Sequence, residues 1–156
     1  MAKFYKRRFH RSGARDKYSV ESTTIRTTTG GQIIAGVYQA TANVVPASPT
    51  QGMRKVKHLT ISLTTVDGVT ALFWALVYVP EGYSVNPLNT NPGASLYEPN
   101  QFVLNSGIVD PSAGPIRISS PLSRNLNSGD SIWLVVGTGS TGNEVSGVVR
   151  YAITLQ

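Results

Sequence analysis

The sequence predicts an all-β fold, a single antiparallel sandwich of about eight strands. Glycine and proline, the usual turn residues, occur 15 and 9 times among 156 residues. Between them lie short runs rich in valine, isoleucine, threonine and tyrosine, which favour strands. No stretch shows the apolar period of an amphipathic helix. Many short strands joined by turns are therefore expected.

Eight segments have strand-like patterns bounded by turn residues. They are residues 18–29, 32–41, 53–65, 69–79, 101–109, 114–120, 131–136 and 145–156. The first two meet at Gly30-Gly31, so they form either a hairpin turning on the two glycines or one long strand bent there. Residues 122–130, rich in serine, asparagine and glycine, are expected to be a turn region.

The third segment contains an irregularity. Leu59 and Ile61 share one face of an alternating strand, whereas Val56 has the opposite parity. A β-bulge near Lys57 or His58 would direct all of these apolar side chains into the core.

Segments 69–79 and 131–136 are apolar at both parities, which predicts strands buried on both faces. One cover would be the opposing sheet, and the other a loop or a neighbouring subunit. Eight strands with unequal loops and no helix indicate a sandwich of the jelly-roll kind. An immunoglobulin-like sandwich is the alternative, although its cysteine and tryptophan pattern is absent.

The charges divide the chain into two units. Residues 1–17 carry seven basic and one acidic side chain, a net charge of +6, whereas the remaining chain carries seven of each sign. We therefore expect a basic N-terminal arm over residues 1–17 and one jelly-roll domain over residues 18–156. The arm has too little apolar content to pack and is expected to be disordered or extended.

The arm is the candidate nucleic-acid-binding segment. Its cations would neutralise phosphates, and its interleaved aromatic rings would stack on unpaired bases, which favours a single-stranded partner. These residues are Lys3, Lys6, Arg7, Arg8, Arg11, Arg15 and Lys17, with Phe4, Tyr5 and Phe9. An acidic membrane surface or a nuclear import signal is the alternative or additional role. Arg54, Lys55 and Lys57 either line the same surface or form an ordinary solvated strand end.

Catalysis is not expected. The chain has two histidines, His10 and His58, and no cysteine, which is too few for a cupin-like metal site or a thiol nucleophile. The acids Glu81, Glu98 and Asp110 lie in loops and are interpreted as turn or interface residues rather than as a glycosidase pair. We predict no enzyme activity, metal or cofactor. The apolar run of residues 69–79 is about half the length of a membrane span, so no membrane-spanning segment is expected, and a membrane is not the favoured partner.

Several short motifs occur in an order that resembles the capsid proteins of circoviruses and related circular, Rep-encoding single-stranded DNA viruses. The basic arm is followed by Tyr-x-Val-x-x-Thr-Thr-aliphatic, here residues 18–25, and then by a strand that opens Arg-Lys-Val-Lys, here residues 54–57. The segments ALVYVPEG, SLYEPNQFVLNSGIVD and LSRNLNSGD, at residues 75–82, 95–110 and 122–130, resemble uncultivated relatives of that group.

The resemblance implies a jelly-roll subunit that assembles with copies of itself into a small icosahedral virion shell, on the order of sixty copies. Its arm would face inward onto circular single-stranded DNA and could direct entry into the host nucleus. Short capsids of plant satellite RNA viruses share this layout, so RNA is the alternative cargo. Subunit contacts are expected in the irregular segment of residues 80–100, at Tyr83, Leu88, Leu96 and Tyr97, and at Phe102 in the strand that follows it.

A binding module is the alternative from another functional class. A lectin-like or TNF-like jelly roll would bind a carbohydrate or a receptor with its loops, and its basic tail would have no part in this function. Shell-sized particles distinguish the first hypothesis, and a soluble trimer with glycan affinity distinguishes the second.

Overall fold

The computed structural model describes residues 18–34, 37–50, 52–65, 71–88 and 102–155, and these residues form an all-β structure as predicted. The only helical element among them is a single 3₁₀ turn over Pro111–Ala113. The strands are β1 Ser19–Thr28, β2 Gln32–Ile34, β3 Val37–Val45, β4 Arg54–Thr65, β5 Leu72–Val79, β6 Phe102–Val109, β7 Ile116–Leu126, β8 Ser131–Thr138 and β9 Glu144–Leu155.

The strands form two antiparallel sheets. Sheet A has the order β1-β9-β4-β7, and sheet B has the order β2-β3-β8-β5-β6. The pairing is nested along the chain, because β1 pairs with β9, β3 with β8, β4 with β7 and β5 with β6. Strands near the two ends of the chain therefore pair with each other, and the pairs continue inward along the sequence to β5 and β6, which are consecutive.

The first connection differs from both expected arrangements. β1 lies in sheet A, and β2, the next strand, lies in sheet B, so the glycine pair neither turns a hairpin nor bends one continuous strand. The predicted run 32–41 also differs, since it divides into β2 and the start of β3, which pair antiparallel. Gly31 has a φ of 70°, a left-handed conformation that glycine adopts without a steric cost. The glycines thus let the chain pass from sheet A to sheet B.

The predicted bulge is confirmed. His58 has a φ of 54°, and the register of β4 shifts between Lys57 and Leu59 against β7. Val56 and Leu59 are both buried as a result. The extra residue at His58 thus restores the inward face on both sides of the bulge.

Strand β7 is longer than the predicted strand 114–120. It continues to Leu126, so most of the predicted turn 122–130 is strand, and Leu126 is fully buried. Pro121 is tolerated because β7 is the edge strand of sheet A and the proline lies opposite the bulge of β4. The prediction of a turn at residues 122–126 was wrong. The preference of serine and asparagine for turns is weak, and the burial of Leu126 outweighs it.

The main core fills the space between the sheets. Its largest fully buried side chains are Leu59, Ile61, Leu63, Leu72, Leu76, Leu126, Ile132, Leu134, Val44 and Val45. On the final strand, Val145, Val149, Tyr151 and Ile153 face this core, as the alternation of that segment predicts.

Strands β5 and β8 are also buried on the outer side of sheet B, as predicted from their two-sided apolar pattern. A second cluster there contains Ala75, Val77, Val79, Leu88 and Val135. Leu88 comes from the segment of residues 80–88, which follows β5 without regular structure. The cover on this part of the outer face is therefore a loop of the same chain.

One buried side chain holds that loop in place. The amide of Gln39 on β3 donates to the carbonyl of Leu88 at 2.6 Å and accepts from the N–H of Leu88 at 2.9 Å. The side chain thus satisfies both backbone groups of Leu88, as a neighbouring strand would.

Candidate nucleic-acid interface

Lys55 and Lys57 lie on the outer face of sheet A. In the register they stand opposite Thr154 and Ala152 of β9. The Nζ of Lys57 lies 4.8 Å from the ring centroid of Tyr18, a cation–π contact. Since residues 1–17 immediately precede Tyr18, the arm joins the domain beside this lysine.

Arg54 does not share that surface. Its side chain points to the opposite side of β4 and is 6% exposed. The guanidinium donates to the carbonyls of Pro46 at 3.1 Å and Asp130 at 3.0 Å. Arg54 is therefore buried against the backbone of its own chain and does not belong to the surface that the two lysines share.

Two further arginines extend the lysine surface. Arg150 of β9 stands between Ser22 of β1 and Thr60 of β4. Arg117 of β7 stands opposite Ser62 of β4, one pleat further along. Both arginines are exposed on the outer face of sheet A, so four cations that have no acidic partner among the described residues lie on one sheet surface.

A fifth cation on this face is neutralised. Arg26 of β1 forms an ion pair with Glu144 of β9, with Nε 2.7 Å from Oε1. The hydrogen bond to Glu144, reinforced by its charge, raises the pKa of Arg26. Five basic residues and one acidic residue thus give the described outer face a net charge of +4. We name this face the basic face, and its cations are Arg26, Lys55, Lys57, Arg117 and Arg150.

The remainder of the basic face is rich in hydroxyl groups. Ser62, Thr64 and Ser146 line a shallow groove on it together with Thr24 and Arg26. Serine and threonine hydroxyls donate hydrogen bonds to phosphate and sugar oxygens. The hydroxyl groups could thus supplement the cations in binding a nucleic-acid backbone, although the same groove is also lined by Ile25 and the exposed Val148.

Sheet B has the opposite character. None of the residues in its strands β2, β3, β5, β6 and β8 is an aspartate, glutamate, lysine, arginine or histidine. Every charged strand residue of the described chain lies in sheet A. The sandwich thus has one basic sheet and one uncharged sheet.

The predicted subunit-contact residues lie in different environments. Tyr83 and Phe102 are 55% and 49% exposed, whereas Leu88 is fully buried within its own chain. The ring of Phe102 lies 5.9 Å from that of Tyr78. Leu96 and Tyr97 lie outside the described residues, as do all ten predicted binding residues of the arm: Lys3, Phe4, Tyr5, Lys6, Arg7, Arg8, Phe9, Arg11, Arg15 and Lys17.

A buried carboxylate connects the elements around Arg54. Asp130 accepts hydrogen bonds from the Tyr78 hydroxyl at 2.7 Å and from the backbone N–H groups of Glu81 at 3.1 Å and Asn127 at 2.8 Å. Burial raises the pKa of Tyr78, and its hydrogen bond to Asp130 raises it further. This cluster joins β4, β5 and the β7–β8 turn.

Two arginines of the basic face and the Asp130 cluster were not predicted from the sequence. In β9, Val149 and Tyr151 have the apolar parity and Arg150 the polar one, so the sequence already indicates that Arg150 faces solvent. Only the register of the strands brings Arg150 and Arg117 beside β4. Asp130 carries no local signal, because Tyr78 is 52 positions away in the chain.

The described residues contain no group of three histidine, aspartate or glutamate side chains arranged to hold a metal ion. None of their helices is long and apolar enough to cross a membrane. No known protein family matches the chain, and no curated protein matches it.

Proposed function

We propose that the protein is a viral capsid protein that assembles with copies of itself into a small icosahedral shell and packages single-stranded nucleic acid. Circular single-stranded DNA is the favoured cargo and RNA the alternative, as the motif resemblance implies. The observation that carries the proposal is the separation of charge, with a basic sheet beside the attachment of a basic arm and an uncharged sheet opposite.

The strand order supports a jelly roll as the architecture. A jelly roll contains eight strands in two Greek keys, which arise when a chain paired end to end wraps into a sandwich. Without the three-residue β2, the two sheets contain four strands each, and their nested pairs agree with that arrangement.

The basic face supports the inward-facing role of sheet A. A nucleic acid beside Lys57 would contact both the arm and the basic face, because the arm continues from Tyr18. The arm contributes +6 and the basic face +4, so each copy could neutralise about ten phosphates. The uncharged sheet B would then face away from the cargo.

Electron microscopy of the purified full chain tests the shell. We expect closed particles of uniform size after nuclease treatment of the lysate. A monomer at all salt concentrations and pH values would overturn the capsid proposal, and a soluble trimer with glycan affinity would support a binding module instead.

Deletion of residues 1–17 tests the arm separately. We expect the truncated chain to form the same particles with less encapsidated nucleic acid, measured by the ratio of absorbance at about 260 and about 280 nm after nuclease treatment. Unchanged nucleic-acid content would refute the role of the arm while leaving the shell intact.

A further inference from the structure

Of the two histidines in the chain, His58 lies within the described residues, at the bulge of β4. Strand β4 has β9 on one side and β7 on the other, so it has no free edge. Val56 and Leu59, its nearest inward-facing residues, are 0% and 1% exposed, whereas His58 is exposed. An exposed side chain in the middle of such a strand can lie only on the outer face of the sheet, because the inner face is the core. The ring of His58 therefore lies on the basic face.

Cations flank His58 on this face. Lys57 precedes it in β4, and Lys55 lies one pleat further away. Arg150 of β9 stands opposite Thr60, the first outward residue of β4 after the bulge. The imidazole is therefore bordered by positive charge from its own strand and from β9.

The neighbouring strands place no acidic side chain of the described residues beside the ring. Strand β7 contributes Ser119 and Ser123 near the bulge, and both are uncharged. Glu144, the acidic residue of the basic face, forms the ion pair described above. Glu21 of β1 is turned toward the core side, where it accepts a hydrogen bond from the Tyr151 hydroxyl. A protonated imidazole at the bulge would thus find its anion outside the described part of the chain.

The backbone of the bulge does not itself require an imidazole. Glycine or asparagine would adopt the φ of 54° at His58 as readily as histidine does. Bulges commonly re-aim a side chain toward a functional surface. Here the bulge presents, between Lys57 and Arg150, the one side-chain type that ordinarily changes its charge between about pH 5 and about pH 8.

We propose that His58 is a pH-dependent cation of the basic face, which makes the protein bind single-stranded nucleic acid more tightly in mildly acidic than in neutral solution. The inference rests on the proposed function, since it names a regulator of the same interface. The imidazolium adds one positive charge to the +4 of the basic face and donates a hydrogen bond to a phosphate beside Lys57. A phosphate bound there favours the imidazolium over the neutral ring, so binding takes up a proton.

Fluorescence anisotropy of a labelled oligothymidine tests the inference, because neither thymine nor a phosphodiester titrates in mildly acidic solution. The protein is the nuclease-treated full chain with His10→Gln, so that His58 is its remaining histidine. At about 0.1 M salt, we expect the affinity of this parent to rise about three- to fivefold from about pH 7.5 to about pH 5.5. The additional phosphate contact should also make the slope of log affinity against log salt steeper by about 0.7.

Three substitutions of His58 separate its charge from the other groups that titrate in this range. His58→Asn tolerates the positive φ and stays neutral, so the three- to fivefold rise, on the order of one phosphate contact, should be lost. His58→Gly is a second neutral variant, in case asparagine disturbs the bulge. His58→Lys is charged at both pH values, so at about pH 7.5 it should bind as tightly as the parent binds at about pH 5.5. All other titratable groups are common to these variants, so differences between them report residue 58 alone.

An equal rise in affinity for the parent, His58→Asn and His58→Gly would overturn the inference and retain the interface. A rise confined to the parent, with the tight binding of His58→Lys at both pH values, would support it. Absence of oligothymidine binding at both pH values would refute the interface itself, and the inference with it.

Discussion

At the scale of single residues, Gly107 of β6 shows how closely an edge strand packs on the core. A Cβ added to Gly107 would lie 2.9 Å from Cζ2 of Trp74. We expect Gly107→Ala to lower the free energy of unfolding by about 1–3 kcal/mol, because the indole ring must shift. Gly30→Ala, where a Cβ meets nothing within 4 Å, should change it by about 0.5 kcal/mol or less. Urea denaturation of both variants tests this, and equal stabilities would contradict it.

The buried tyrosines make the fold sensitive to alkaline pH. Burial raises the pKa of Tyr151, and its 2.7 Å hydrogen bond to Glu21 raises it further. A phenol with a raised pKa in the folded state stabilises the fold fully below its unfolded pKa of about 10, and this contribution is lost as the pH rises through the folded pKa. Stability should therefore fall above about pH 10, by up to about 1.4 kcal/mol per pH unit for this group.

The variant Tyr151→Phe isolates that contribution. Its free energy of unfolding should fall less steeply than that of the wild type above about pH 10, with the difference at neutral pH as the reference. Chemical denaturation at a series of pH values measures both slopes, and parallel slopes would refute the assignment.

At the scale of elements, the β4 bulge depends on one unusual backbone conformation. His58 has a φ of 54°, which costs most for β-branched residues and least for glycine. We expect His58→Val to destabilise the fold by about 1–3 kcal/mol and His58→Gly to leave it within about 1 kcal/mol of the wild type. Thr60→Gly, on the same strand beyond the bulge, is the control and should cost about 1 kcal/mol. A higher melting temperature for His58→Val than for His58→Gly would contradict this account.

The segment over sheet B depends on Gln39. Gln39→Ala leaves the N–H and the carbonyl of Leu88 without partners in a buried site. We expect the free energy of unfolding to fall by about 2–4 kcal/mol and amide hydrogen exchange in residues 80–88 to become faster. Thr24→Ala, at an exposed position of β1, should leave that exchange unchanged. Wild-type exchange in Gln39→Ala would show that the apolar contacts of Leu88 alone hold the segment.

At the scale of the whole molecule, the basic face predicts how nucleic-acid affinity depends on salt. Replacing Arg117 and Arg150 by serine should reduce the slope of log affinity against log salt for a single-stranded oligonucleotide by about 1.4, because each phosphate contact on a single strand contributes about 0.7. The control Ala47→Glu with Ser84→Glu lowers the net charge equally at exposed positions off the face. Fluorescence anisotropy at several salt concentrations measures the slopes, and equal slopes for both double variants would assign the effect to net charge alone.

The sequence by itself determined the all-β class, a bulge near Lys57 or His58, and the two-sided burial of β5 and β8. These features are local, because successive side chains of a strand point to opposite faces, and the positions of the apolar residues therefore indicate which face is buried. For Arg54, Lys55 and Lys57 the sequence left two alternatives, the surface of the arm or an ordinary solvated strand end, and for the two lysines the first stays a prediction.

Only the tertiary structure decided how the strands pair and which charges share a surface. Arg54 resembles its neighbouring lysines in sequence, yet its parity turns it inward to the carbonyl of Asp130. Arg117 and Arg150 reach the basic face through the register of β7 and β9 against β4, and no local pattern encodes that register. Pairings between distant segments depend on the closure of the whole chain, and this is the physical reason that the basic face and the cations around His58 emerge only in the folded molecule.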